Sequence, residues 1–147
     1  MDVTEKLNDF FVTCFYSILS AEERALESIS NGKLSLKEIH VIEAVFKAKK
    51  RGENNFLTIA KILSITPGTL TTAFAKLEKK GYLVKRQDKA DKRIYYIEPT
   101  RLAELINNEH SAFHRKFIEG VVRTLPRDDL DRLANTLKTV SDFFNGL

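Results

Sequence analysis

The sequence has no tryptophan, one cysteine, one methionine, three prolines and six glycines among its 147 residues, and each shortage excludes something. A single cysteine, Cys14, cannot build an internal disulfide framework and fits a reducing, cytoplasmic setting. There is no Gly-rich phosphate loop, no CxxC pair, no serine elbow and no tryptophan-lined cleft, so the usual signatures of an enzyme are missing. No apolar run approaches the ~18 residues that a membrane span needs. The first residues, MDVTEKLNDFF, start acidic and lack the basic-then-apolar order of a signal peptide. What remains is a soluble chain without a membrane partner: one domain, or a compact domain with helical appendages.

Charge is plentiful and unevenly placed. The formal net charge is only +4, which by itself says little. Between Lys76 and Arg93, however, lie Lys76, Lys79, Lys80, Lys85, Arg86, Lys89, Lys92 and Arg93 against Glu78, Asp88 and Asp91. A positive field of that kind is the footprint of a polyanionic partner.

Apolar periodicity predicts a long helix from Thr4 to about Ile29, through Leu7, Phe10, Phe11, Cys14, Phe15, Ile18 and Leu19, stopping at Asn31-Gly32. Ser35 and Glu38 have capping-box spacing and open a second helix, which ends among Lys47–Gly52. A polar loop, 51–55, and a short apolar helix, 56–63, follow. Thr66 is a good N-cap and Pro67 suits the first helical turn, so a fourth helix runs to Lys80 with Gly81 as its stop. Two β-rich runs, 82–86 and 94–97, flank a polar turn and read as a hairpin. After Pro99 come a helix over about 100–124, a break at Leu125-Pro126 and a last amphipathic helix.

The fourth helix carries the functional argument. Leu70, Ala73, Phe74 and Leu77 form an apolar back, while Gly68, Thr69, Thr72, Lys76 and Lys79 form the front. Small and hydroxyl side chains at the helix start permit close approach to base edges and phosphates, and lysines further on meet the backbone. Alone, such a helix is an ordinary amphipathic one. A basic hairpin directly behind it, with Lys89, Lys92 and Arg93 near the tip, suits an arm reaching into a minor groove.

Taken together these residues resemble the MarR family of winged-helix regulators over essentially the whole chain. Gly68-Thr-Leu-Thr71, Leu77-Glu78 and Gly81-Tyr82 are similar to that family's recognition helix, and Asp88-Lys-Ala-Asp91-Lys-Arg93 is similar to its wing motif. The resemblance implies that Asp91 braces the wing and that Arg93 enters the minor groove; Ala90 departs from the pattern, standing where the family usually has arginine. It also implies a homodimer formed through the first and last helices, which gives a use to Phe10, Phe11, Phe15, Tyr16, Phe143 and Phe144. The expected DNA-contacting set is Thr66, Pro67, Gly68, Thr69, Thr71, Thr72, Lys76, Lys85, Arg86, Lys89, Asp91 and Arg93, on a pseudo-palindromic double-stranded operator.

Two effectors stay open. Ser35–His40, Gly68–Thr72 and Leu77–Tyr82 resemble the fatty-acid-biosynthesis repressor branch, which implies an acyl chain on acyl carrier protein, held by Phe11, Phe15, Ile18, His40, Phe113 and Phe117. Alternatively, His110 and His114, four apart on one helix, could join His40 and a carboxylate in a Zn²⁺ set. These positions, with Glu23, resemble the primary site of the family's zinc-uptake repressor. That branch's second site is not reproduced, because Ile39 stands where its glutamate would be and its cysteine is missing. A redox role for Cys14, followed by Phe15 as in peroxide-sensing members, lacks the tyrosines that polarise the thiolate, since Leu36 and Ile39 hold those positions. A hydrolytic zinc site and a purely scaffolding winged helix are the competing classes.

The fold expected is mostly α with a small β-hairpin: a winged helix-turn-helix domain over 35–99, an N-terminal dimerisation helix over 1–34 and C-terminal dimerisation helices over 100–147.

Overall fold

A computed structural model describes residues 1–147. Its elements are α1 (Val3–Ser30), α2 (Leu36–Lys50), α3 (Phe56–Leu63), α4 (Pro67–Lys79), β1 (Leu83–Gln87), β2 (Tyr95–Pro99), α5 (Arg101–Thr124) and α6 (Arg127–Asn145). The mostly helical chain with one hairpin is as expected, in the expected order.

Short-range chemistry sets most boundaries. At α2, Ser35 Oγ accepts from the Glu38 amide at 3.2 Å and the Glu38 carboxylate accepts from the Ser35 amide at 3.1 Å, so two orphan donors are satisfied reciprocally. Asp2 and Glu5 close the same box on α1. Thr66 Oγ1 accepts from the Thr69 amide at 3.1 Å and opens α4, with Pro67 at its first turn. That helix ends in Gly81, whose φ of +86° is left-handed and favours glycine.

The hairpin is one step later than its propensities predict. Leu83 pairs with Pro99 and Gln87 with Tyr95 in an antiparallel register. The reason is tertiary. The stretch expected as a polar loop, 51–55, is partly drawn into the sheet: Asn55 bridges Tyr96, the Ile97 backbone amide donates to the Asn54 carbonyl at 2.8 Å, and the buried Asn54 side-chain amide donates to the Ile97 carbonyl at 2.9 Å. Buried backbone groups of β2 thereby find partners that the two strands alone do not offer.

The chain divides into two compact units, Met1–His110 and Ser111–Leu147, with α5 running through the boundary. The first holds the core: Ile39, Ile42 and Val45 of α2, Ile59 of α3, Leu70, Phe74 and Leu77 of α4, Leu83 and Ile97 of the hairpin, and Ala103 and Ile106 of α5. Elsewhere many large apolar residues are exposed. On α1, Leu7, Phe10, Phe15 and Tyr16 are exposed, and α6 buries no residue at all. No helix is long and apolar enough to cross a membrane.

Candidate nucleic-acid interface and a histidine–carboxylate cluster

The front of α4 is built by its back. Leu70, Phe74 and Leu77 are buried, and this phase turns Gly68, Thr69, Thr72, Lys76 and Lys79 outward together with Thr66, Pro67 and Thr71. The hydroxyls are oriented rather than loose: Thr66 Oγ1 lies 2.8 Å from Thr69 Oγ1, while Thr71 and Thr72 donate to the carbonyls of Pro67 and Gly68. Gly68 is not demanded by the fold, since a Cβ there would meet nothing within 4 Å.

The wing tip is braced from within. Asp88 accepts from the amides of Ala90 and Asp91 at 3.1 and 2.8 Å. Asp91 then accepts from the Arg93 amide and, through both carboxylate oxygens, from its guanidinium at 3.0 and 3.1 Å. The Arg93 guanidinium and amide hold Asp91 below the ordinary carboxylate range, and the accepting Asp91 carboxylate raises Arg93 further. Arg93 nevertheless presents a side chain 91% exposed. Ala90, the departure from the wing motif, contributes only its amide to this turn.

Several cations of the basic stretch besides Arg93 are also ion-paired within the chain. Lys80 pairs with Glu38 at 2.9 Å. Arg86 pairs with Glu98 at 3.1 Å and lies over the Tyr96 ring, and Lys49 shares the same carboxylate at 2.8 Å. Arg86 was expected among the DNA-contacting residues; here its guanidinium is engaged within the wing. Lys76, Lys79, Lys85, Lys89 and Lys92 make no ion pair within the chain.

A second cluster joins α1, α2 and α5. His110, only 4% exposed, places Nε2 3.5 Å from Glu22 and Nδ1 3.3 Å from Glu43. His40 Nε2 is 3.7 Å from Glu22. The sequence expectation named Glu23, and the structure corrects it. On α1 the inward face runs Glu22, Leu26, Ile29, so the next residue points about 100° away, and Glu23 is exposed whereas Glu22 is buried. Glu43 was not anticipated; its one sequence signal is the i,i+3 spacing from His40. His114 lies one turn beyond His110 on α5, half-buried in the second unit. Of the residues expected around an acyl chain, Phe11, Ile18 and Phe113 are half-buried, while Phe15 and Phe117 are exposed. Cys14 is half-buried, and Ile39, where a second metal site would need a carboxylate, belongs to the core.

One ligand atom each of Glu22, His40 and His110 falls within a common 4.8 Å. Donors around tetrahedral zinc stand roughly 3.4 Å apart, close to the Glu22–His separations above. Two imidazoles and a carboxylate are also the donor types that zinc accepts.

The His110–Glu43 pair has a pH signature in chelator-treated protein. Hydrogen bonding to His110 carries Glu43 from 4.5 down to about 2, and hydrogen bonding to Glu43 lifts His110 above 6.5. The Glu43 contribution is therefore complete above pH 4.5 and fades as pH falls towards 2. The His110 contribution is complete below pH 6.5 and fades as pH rises through its raised folded-state value. Thermal melts should show this alkaline decline in the wild type and lack it in His110→Gln. Parallel curves for the two proteins would show that the pair adds nothing.

The MarR family profile matches residues 34–95. The transcriptional regulator AdcR of Streptococcus pyogenes serotype M6 is 30% identical over 114 residues, 78% of this chain and 75% of that protein. Among solved structures, FabT of Streptococcus pneumoniae in complex with DNA superposes with a TM-score of 0.89 at 25% identity, covering 97% of this chain and 98% of FabT. The DNA complex of MepR from Staphylococcus aureus shares the fold, with a TM-score of 0.68 at 18% identity over 88% of this chain and 96% of MepR.

Proposed function

The chain belongs to the MarR family of winged helix-turn-helix transcriptional regulators, and from that premise we propose that it is a homodimeric repressor reading a pseudo-palindromic operator. The observation that carries this is the single exposed front of α4, with Gly68, Thr69, Thr72 and Lys76 presented by a capped helix and followed by a wing that holds Arg93 outward. Thr66 to Lys76 enter the major groove, Arg93 and Lys89 the adjacent minor groove, and Lys85 meets phosphate. The exposed apolar faces of α1 and α6 supply the dimer contact.

The test is binding to a duplex from upstream of its own gene, measured across ionic strength. Log K should fall with log salt at about 0.9 per phosphate neutralised, and a flat dependence would sink the reading. Gly68 gives a sharper check. Because no atom opposes a Cβ there, Gly68→Ala should stabilise the helix by up to about 1 kcal/mol. It should also weaken DNA binding, because the methyl occupies space meant for the duplex. Denaturation and binding curves that moved in the same direction would refute the close approach.

For the effector, we infer an acyl chain delivered by acyl carrier protein, supported by the family resemblance and by the half-buried Phe11 and Ile18 of α1. Zinc is the second reading, favoured by the gathering of Glu22, His40 and His110; bound there, it would tie α1, α2 and α5 together and so bias the spacing of two heads. Native mass spectrometry of purified protein separates them. A co-purified acyl species supports the first, and stoichiometric zinc lost on His110→Ala supports the second.

A further inference from the structure

The hairpin is fastened to the core on one face and clasped by charge on the other. Leu83 and Ile97, both fully buried, share the inward face. Arg86, Tyr96 and Glu98 share the opposite face, and Glu98 is the hub there. Its Oε1 accepts from Arg86 Nε and Nη2 at 3.2 and 3.1 Å and from the Asn54 side-chain amide at 3.3 Å. Its Oε2 accepts from Lys49 Nζ, on the last turn of α2, at 2.8 Å. Burial opposes the charge on Glu98, but hydrogen bonds from Lys49, Arg86 and Asn54 outweigh it and hold the carboxyl below its ordinary value. Three segments, α2, the 51–55 loop and β1, thus meet on one carboxylate at the root of the wing.

A two-stranded ribbon has little rigidity of its own, and no residue between 84 and 96 is buried. Arg93 lies five residues before Glu98, up to about 16 Å along a strand. Over that arm a tilt of about 10° at the root displaces the tip by roughly 3 Å, more than a hydrogen bond tolerates. We propose that Glu98 is the positioning residue of the wing: its clasp on Lys49, Arg86 and Asn54 sets the angle at which Arg93 is carried, and so governs discrimination between the operator and random duplex. Phosphate attraction does not need that angle, because it is independent of sequence. An aimed entry into a groove of particular width does. Glu98 acts through Arg93 and not on the duplex. The proposal rests on the DNA-binding reading above.

The experiment uses the full chain and anisotropy titrations of two labelled duplexes of equal length, one from upstream of its own gene and one of random sequence. Glu98→Gln keeps the shape and removes the charge. It should raise Kd for the operator about tenfold. The random duplex should bind as well as before or better, because a negative charge has gone. In an Arg93→Ala background the same change should cost nothing further, since nothing is left to aim. Lys49→Gln opens the clasp from the α2 side at an exposed position and should also lower the operator-to-random affinity ratio, which keeps the test decisive were Glu98→Gln to misfold. Tighter binding of both duplexes by Glu98→Gln would show that the carboxylate matters only as a charge. An equal operator loss in the wild-type and Arg93→Ala backgrounds would mark a merely structural role. Either result overturns the proposal. If Arg93→Ala itself leaves operator binding intact, the wing reading falls and the positioning role falls with it.

Discussion

Replacing Phe15 and Phe143 together by aspartate is expected to convert a dimer into a monomer and to weaken operator binding by about 10²–10⁴-fold. Both side chains are bare in the single chain, Phe15 at 60% and Phe143 at 64% exposure. Rings left in water on two long helices have a reason only if another surface covers them. A carboxylate at each position makes that surface costly to bury. The size of the effect comes from linkage. One head on one half-site gains only a few contacts, whereas a tethered second head binds at high effective concentration. The winged-helix core should survive the change, because it is built from residues between Leu34 and Ile106. Sedimentation and anisotropy on the same samples check this. A double variant that stays dimeric, or a monomer that keeps full operator affinity, would contradict the assembly.

Arg93→Ala should have the next largest effect. A side chain entering a groove is worth about 1–3 kcal/mol per contact, and two heads double the loss, so Kd should rise by roughly 30-fold to 10⁴-fold. The fold should be indifferent, because Arg93 is solvent-exposed and its only ion pair is with Asp91. Asp91→Asn tests the brace: it keeps shape and weakens the two-point grip on Arg93, so operator affinity should drop although the head gains net positive charge. Higher affinity in Asp91→Asn, measured on the same duplex, would mean that charge and not orientation governs the wing. Arg86→Ala provides a contrast, since Glu98 already holds its charge; its effect on the salt slope should be small.

Much of the reading head was legible in the sequence because its signals are local. The Ser35–Glu38 box, the Thr66 cap with Pro67 behind it, and the Leu70–Phe74–Leu77 stripe all act through steps of three or four residues, where hydrogen bonding and helical phase decide the outcome. The MarR likeness carried on the α4 and wing residues was likewise sound. Reading the outward residues of α4 needed only the identity of the inward ones. The helix 1 carboxylate was harder: Glu22 and Glu23 are adjacent and identical in chemistry, so only the angle at which α1 lies on α2 distinguishes them.

The sequence by itself thus determined the helices, the hairpin, the capped reading helix and the family. Tertiary structure alone decided which charges pair with one another across the chain. Glu98 takes Arg86 and Lys49, Glu38 takes Lys80, and Glu22 with Glu43 encloses His110. It also decided that Asn54 and Asn55, polar residues in an apparent loop, complete the sheet. The physical reason is reach. A cap or a helical stripe is fixed by neighbours a turn away, whereas an ion pair across 49 residues, as between Lys49 and Glu98, exists only after the core has brought its helices together.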